Sequence, residues 1–186
     1  MKYCIVYAHP NPLSFSHAIK QRVVEIIESR DAIYEIIDLY DDNFNPVLNA
    51  EDFIALQNGE VLPEVEKYQQ QVANADHLIF IYPIWWYGQP AISKGWIDRV
   101  FSWGFAYRDD ENGFTPLLTD KRATLLVPLG SSKTILEQYD MLRFIDNMIV
   151  GTLNLVGISN VNYHPFYGLP TLTDDQRRDL LKQIVI

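Results

Sequence analysis

The chain has 186 residues, 48% hydrophobic and 21% charged, with a formal net charge of −9. That length fits one domain burying roughly 70% of its unfolded surface. The acidic balance, without a basic run, excludes nucleic acid and anionic membrane surfaces as natural partners.

Cys4 is the only cysteine, which excludes an intrachain disulfide and a thiolate metal cluster, and no metal site is expected. No apolar run reaches the ~20 residues of a membrane helix. Met1-Lys-Tyr-Cys leads into a strand rather than a signal peptide, so a cytoplasmic location is expected.

Tyr3 to Tyr7 reads as a buried strand, with Cys4 as an inert thiol within it. A loop with two prolines follows, from Ala8 to His17, and then a helix with Ile19, Val23, Val24 and Ile27 on one face. Ser14 or Ser16 can cap that helix. Ile33 to Leu39 is the second strand. Tyr40 to Asn49 is a polar loop, Glu51 to Gln57 a short helix ended by Gly59, and Val65, Tyr68 and Val72 mark another helix.

His77 reads as a surface or strand-edge residue without a role. Leu78 to Tyr82 is an unbroken apolar run, too short for a helix, and describes a strand buried on both faces. Pro83 stops it, Trp85, Trp86 and Tyr87 stand together in the loop, and Pro90 suits the first turn of a helix carrying Ile92, Trp96 and Val100. Ser102 to Leu118 has no clear period and predicts an irregular lid or subunit contact. Ala123 to Val127 is the fourth strand, followed by the small-residue turn Leu129-Gly-Ser-Ser132. Met141 to Val156 predicts one strongly apolar helix, stopped by Gly157. Ile158 to Tyr163 is the fifth strand, and Thr173-Asp-Asp-Gln176 forms a capping box for the last helix.

Strands alternating with helices predict an α/β fold: a doubly wound five-stranded parallel sheet with helices on both faces and the flavodoxin-like order 2-1-3-4-5. In that order the loops after strands one, three and four meet at the switch point. Each loop alone has a structural explanation: the serines cap a helix, the aromatics cover a core, and the small-residue turn is a turn. Together they offer a seat for phosphate at a helix start, an aromatic wall, and a backbone edge. A phosphate at one end and a flat ring at the other describe flavin mononucleotide. No G-x-G-x-x-G fingerprint or Walker lysine is present.

Several segments resemble the NAD(P)H:quinone oxidoreductase family of the DT-diaphorase type, in particular its small bacterial members. They are Tyr7-Ala-His-Pro10, Ser14-Phe-Ser16, Asp38-Leu-Tyr40, Asn43-Phe-Asn-Pro46, Ala75-Asp76, Pro83-x-x-Trp86-Tyr-Gly88, Pro90-Ala91, Lys94-Gly-Trp-Ile-Asp-Arg-Val-Phe101 and Gly104-Phe-Ala-Tyr107. The resemblance runs in order over nearly the whole chain. It implies hydride transfer from NAD(P)H to a flavin, then from the flavin to a quinone or similar electrophile. His9, Ser14, Phe15 and Ser16 would hold the phosphate side of the cofactor. Pro83, Ile84, Trp85, Trp86 and Tyr87 would pack on its ring, and Leu129, Gly130 and Ser131 would meet the ring's pyrimidine edge. Trp86, Tyr87, Phe105 and Tyr107 would border the substrate, the last two often from the second subunit of a homodimer.

The chain departs from the family in the fourth loop. Pro128-Leu-Gly-Ser131 stands where the family's animal enzymes have a Thr-Thr-Gly-Gly run followed by a tyrosine and a histidine, and Ile135 to Asp140 has no histidine. The chain ends at Ile186 in the last helix, where relatives often continue, so FMN is favoured over FAD. Two other functions stand beside the enzyme: an ancillary regulatory subunit of a potassium-efflux transporter, and a flavodoxin-like electron carrier.

Overall fold

The computed structural model describes residues 1–111 and 113–186. β1 (Lys2–Tyr7), β2 (Ile33–Asp38), β3 (His77–Ile81), β6 (Arg122–Pro128) and β7 (Asn160–Phe166) form one sheet in the order β2-β1-β3-β6-β7. All its pairs are parallel. This is the expected flavodoxin-like order, with β6 and β7 as the fourth and fifth strands. All five residues of β3 are buried, because helices cover both faces of the sheet.

Alternate residues supply two cores. Cys4, Val6, Leu78, Phe80 and Leu125 face α3 (Pro63–Ala73), α4 (Ala91–Val100) and the helical stretch before β7. Ile5, Tyr7, Ile79, Ile81 and Leu126 face α1 (Phe15–Glu28) and α7 (Asp174–Lys182). Cys4 is buried, which pushes its thiol up to about 12 and keeps it inert.

Four expectations need correction. The stretch from Ser102 to Leu118 is not irregular throughout: β4 (Tyr107–Asp110) and β5 (Gly113–Pro116) pair antiparallel, with the Tyr107 and Phe114 rings stacked. Cross-strand ring packing supplies there what hydrophobic period does not. Met141 to Val156 is not one α-helix. It runs as a 3-10 turn (Leu142–Ile145), one α turn, α6 (Asp146–Met148), and a π-helical stretch (Ile149–Asn154). The fifth strand starts later than expected and extends to Phe166. His77 is not at the surface: it is the first residue of β3 and is buried, with its Nε2 2.8 Å from the Thr124 hydroxyl. A short helix, α5 (Lys133–Gln138), also follows β6, capped by the Ser132 hydroxyl.

The loop after β2 is locked onto α4. Gly95 lies so close to Pro46 that a Cβ there would stand 2.0 Å from the Pro46 carbonyl oxygen. One turn on, the buried Arg99 donates to the Asn45 carbonyl at 2.8 Å and to Asp52 of α2 (Ala50–Gln57) at 2.9 Å, and it pairs with Glu64. Helix α4 therefore leaves β3 at a fixed angle, and so does the loop between them.

Candidate functional site

The site lies at the carboxyl edge of the sheet, where β1, β3 and β6 stop side by side. Main-chain bonds hold their loops in register. The Ala8 amide donates to Ile81 at 3.0 Å, and the Ile84 amide donates to Pro128 at 2.9 Å. The switch from one crossover direction to the other opens a crevice above them.

The loop after β1 ends at the Ser14 cap of α1, whose hydroxyl accepts from the His17 amide at 3.1 Å. Between the two possible caps, the structure uses Ser14. Ser16, two residues inside the helix, is buried. The amides of Phe15 and Ser16 have no carbonyl to bond within the helix, so the start of α1 offers donors to an anion. The Asn11 amide donates to His9 Nδ1 at 3.0 Å. The neutral imidazole therefore carries its proton on Nε2, as a further donor. Burial holds His9 below the ordinary histidine value, so that neutral form prevails at physiological pH. Behind this loop Lys20 pairs with Asp38 at 2.8 Å and lies 4.2 Å from the centre of the Tyr7 ring.

The loop after β3 is a tight turn. The Trp85 amide donates to Gly88, and the Gly88 amide donates to Trp85, at 3.0 and 3.1 Å. Trp86 and Tyr87 lie between them with left-handed φ angles of 50° and 59°. The Trp85 ring meets His9 edge-on at 5.9 Å, which joins the first loop to the second. In the third loop, the Leu129 amide is taken by Phe166 at 2.8 Å. Among the described residues the amides of Trp86, Tyr87, Gly130 and Ser131 donate to no partner.

These loops enclose two adjoining hollows. One, of about 310 Å3, is lined by His9, Ser14, Phe15, Ser16, Pro83, Ile84, Trp85, Leu129 and Gly130. The other, of about 190 Å3, is lined by Ile84, Trp86, Tyr87, Leu129, Gly130 and Ser131. The twelve residues expected to hold a cofactor are thus brought together, polar at the α1 end and aromatic at the other. Among the described residues, no charged side chain lines either hollow.

Sequence reasoning missed Leu169 and Pro170, which close the first hollow from the turn after β7. The Leu169 amide donates to Leu129 at 3.1 Å and the Gly168 amide to Ser131 at 2.9 Å, so the fifth strand's loop braces the fourth's. The Gly168-Leu-Pro170 run was the available signal. A further hollow of about 450 Å3 opens beside Ser14 and Phe15, lined also by Asp174, Arg177 and Arg178 of α7.

Phe105 and Tyr107 are not brought to the crevice of their own chain. Phe105 borders a separate hollow with Leu56 and Trp103, and Tyr107 stacks on Phe114. Among the described residues, no group of three His, Cys, Asp or Glu side chains is placed to hold a metal ion, and no helix is long and apolar enough to cross a membrane.

A family model described as the flavodoxin-like fold matches residues 1–185. The chain belongs to that family. Among curated relatives, this flavodoxin-like protein is 31% identical to an uncharacterized NAD(P)H oxidoreductase of Haemophilus influenzae, over 98% of this chain and 91% of the relative. Among solved structures, it is similar to the NAD(P)H:quinone oxidoreductase from Methanothermobacter marburgensis, with a TM-score of 0.88 and 32% identity, covering 98% of this chain and 94% of that one. The FMN-dependent NADH-azoreductase from Bacillus anthracis, solved in complex with FMN, shares the fold at a TM-score of 0.82 and 19% identity, covering 98% and 94% of the two chains. The flavodoxin-like protein is therefore a homologue of NAD(P)H:quinone oxidoreductases along nearly its whole length.

Proposed function

We propose that the protein is a flavin-dependent NAD(P)H oxidoreductase that passes two electrons, as hydride, to quinones or similar electrophiles. One observation carries this reading: three strand-end loops meet around adjoining hollows, with hydroxyls and helix amides at one end and an aromatic turn at the other. The residues fit FMN. The Phe15 and Ser16 amides, the Ser14 and Ser16 hydroxyls and His9 Nε2 would receive its phosphate and sugar chain. Trp85, Trp86 and Tyr87 would border its ring.

Bound flavin supplies the hydride chemistry; no side chain of the protein has to form a bond. The protein's part is to bind, orient and exclude water. The unpartnered Gly130 and Ser131 amides stand ready to hold negative charge at the ring's edge, fixed before any reaction by the bonds bracing that loop. The described residues that line the hollows carry no charge, which suits a flat neutral acceptor. The hollow beside Ser14 leaves room for a tail longer than that of FMN, so the released cofactor should be identified by chromatography.

A second copy of the chain is the proposed partner. Trp103, which lines the Phe105 hollow, is exposed, and so are Phe53 and Ile54 on α2, the helix that supplies Leu56 to that hollow; a subunit contact covering them would bring Phe105 and Tyr107 toward a neighbouring crevice.

Protein purified with ample riboflavin should be yellow, gain thermal stability with FMN, and consume NAD(P)H when menadione is supplied. Colourless protein, whose melting point FMN leaves unmoved and which oxidises no NAD(P)H, would overturn the reading.

A further inference from the structure

The aromatic turn carries a cost that the chain's own packing does not explain. Trp86 and Tyr87 occupy the two central positions of a hairpin loop in which both φ angles are positive. Such loops take Asn-Gly or Asp-Gly, because a large side chain with positive φ crowds its own backbone. Two adjacent aromatics in that conformation are strained and must be held there. Tyr87 is held by packing, since its ring rests against the core on the α4 side of the sheet. Trp86 is not, because it is 96% exposed. It brings strain to the fold and buries almost no surface in exchange. The bonds between Trp85 and Gly88, and from Ile84 to Pro128, fix the turn against β6 and prevent it from relaxing.

We propose that Trp86 is a strained clamp whose cost to the cofactor-free fold is recovered when a planar ring occupies the hollow it shares with Ile84, Leu129 and Gly130. The identity of that ring rests on the flavin reading above. The clamp adds that a turn-favouring substitution at this position changes sign: it stabilises the free protein and weakens the loaded one.

The test compares the wild-type chain with W86N and W86A, stripped of cofactor and then titrated with FMN. Both substitutions remove the same exposed indole, but only asparagine is at ease in the left-handed region. In the stripped protein, W86N should melt about 2–4 °C above W86A and above wild type. Both variants should bind FMN at least tenfold more weakly, and the stabilisation by FMN should be largest for wild type. If stripped W86N melts no higher than W86A, the strain is not there and the proposal fails. It fails equally if both variants bind FMN as the wild type does. A wild-type melting point that rises with protein concentration, and no longer does so in W86A, would assign the indole to a subunit contact and overturn the clamp. If the wild type binds no FMN, the flavin reading falls and the clamp with it. The melting order of the stripped variants then still shows separately whether the turn is strained.

Discussion

Gly95 explains two sequence motifs at once. A side chain there would meet the Pro46 carbonyl oxygen at 2.0 Å and the Pro46 Cβ at 2.5 Å, so the Asn43-Phe-Asn-Pro46 loop reaches α4 only where glycine leaves room. Main-chain atoms cannot step aside as a flexible side chain can. The substitution G95A should therefore destabilise the fold by about 1–3 kcal/mol, the range for overpacking. Urea unfolding should show a lower midpoint; an unchanged midpoint would mean that the loop moves away freely. From the sequence, Lys94-Gly-Trp read as part of a resemblance to a family. Its physical role is visible only once Pro46, far away in sequence, is in place.

At the scale of elements, α1 ties folding to the site. Its cap, Ser14, both closes the helix start and lines the first hollow. S14A should cost about 1 kcal/mol of stability through the lost cap. In the flavin reading it should also weaken FMN binding, whereas S14T keeps a hydroxyl and should restore most of both. Thermal melts and FMN titrations of the two variants check this; an S14A protein as stable as the wild type would remove the cap from the account. The sheet strands were legible because unbroken apolar runs bounded by breakers admit few other structures. The hairpin of β4 and β5 was not, because its stabilising pair, Tyr107 and Phe114, spans a turn without a period. Nor was the mixed helical path from Leu142 to Asn154, where an apolar run specifies burial but not the winding of the backbone.

The pH dependence of stability belongs to the whole molecule, since His77 is buried by strands from both sides. Burial, with Arg122 and Arg30 adding smaller contributions, pushes its imidazole down to about 4. Above pH 6.5 His77 is neutral in the folded and the unfolded chain alike. Below that the unfolded chain takes up a proton that the folded one refuses until about pH 4. Stability therefore falls as pH drops through this window, by at most about 3 kcal/mol from this residue. H77Q keeps a polar partner for Thr124 and has no proton to take up. Its urea midpoint should fall less than that of the wild type between pH 7 and pH 4.5, and equal losses would refute the assignment.

What the sequence determined by itself was the strand order and the meeting of three particular loops. Alternating periods permit few topologies, and right-handed crossovers bring the ends of strands one, three and four together. What only the tertiary structure decided was how those loops are finished: the left-handed pair at Trp86 and Tyr87, the bracing of Leu129 and Ser131 by the loop after β7, and the distance of Phe105 and Tyr107 from their own crevice. Each depends on contacts between residues far apart in the chain, and local propensity carries no record of such contacts.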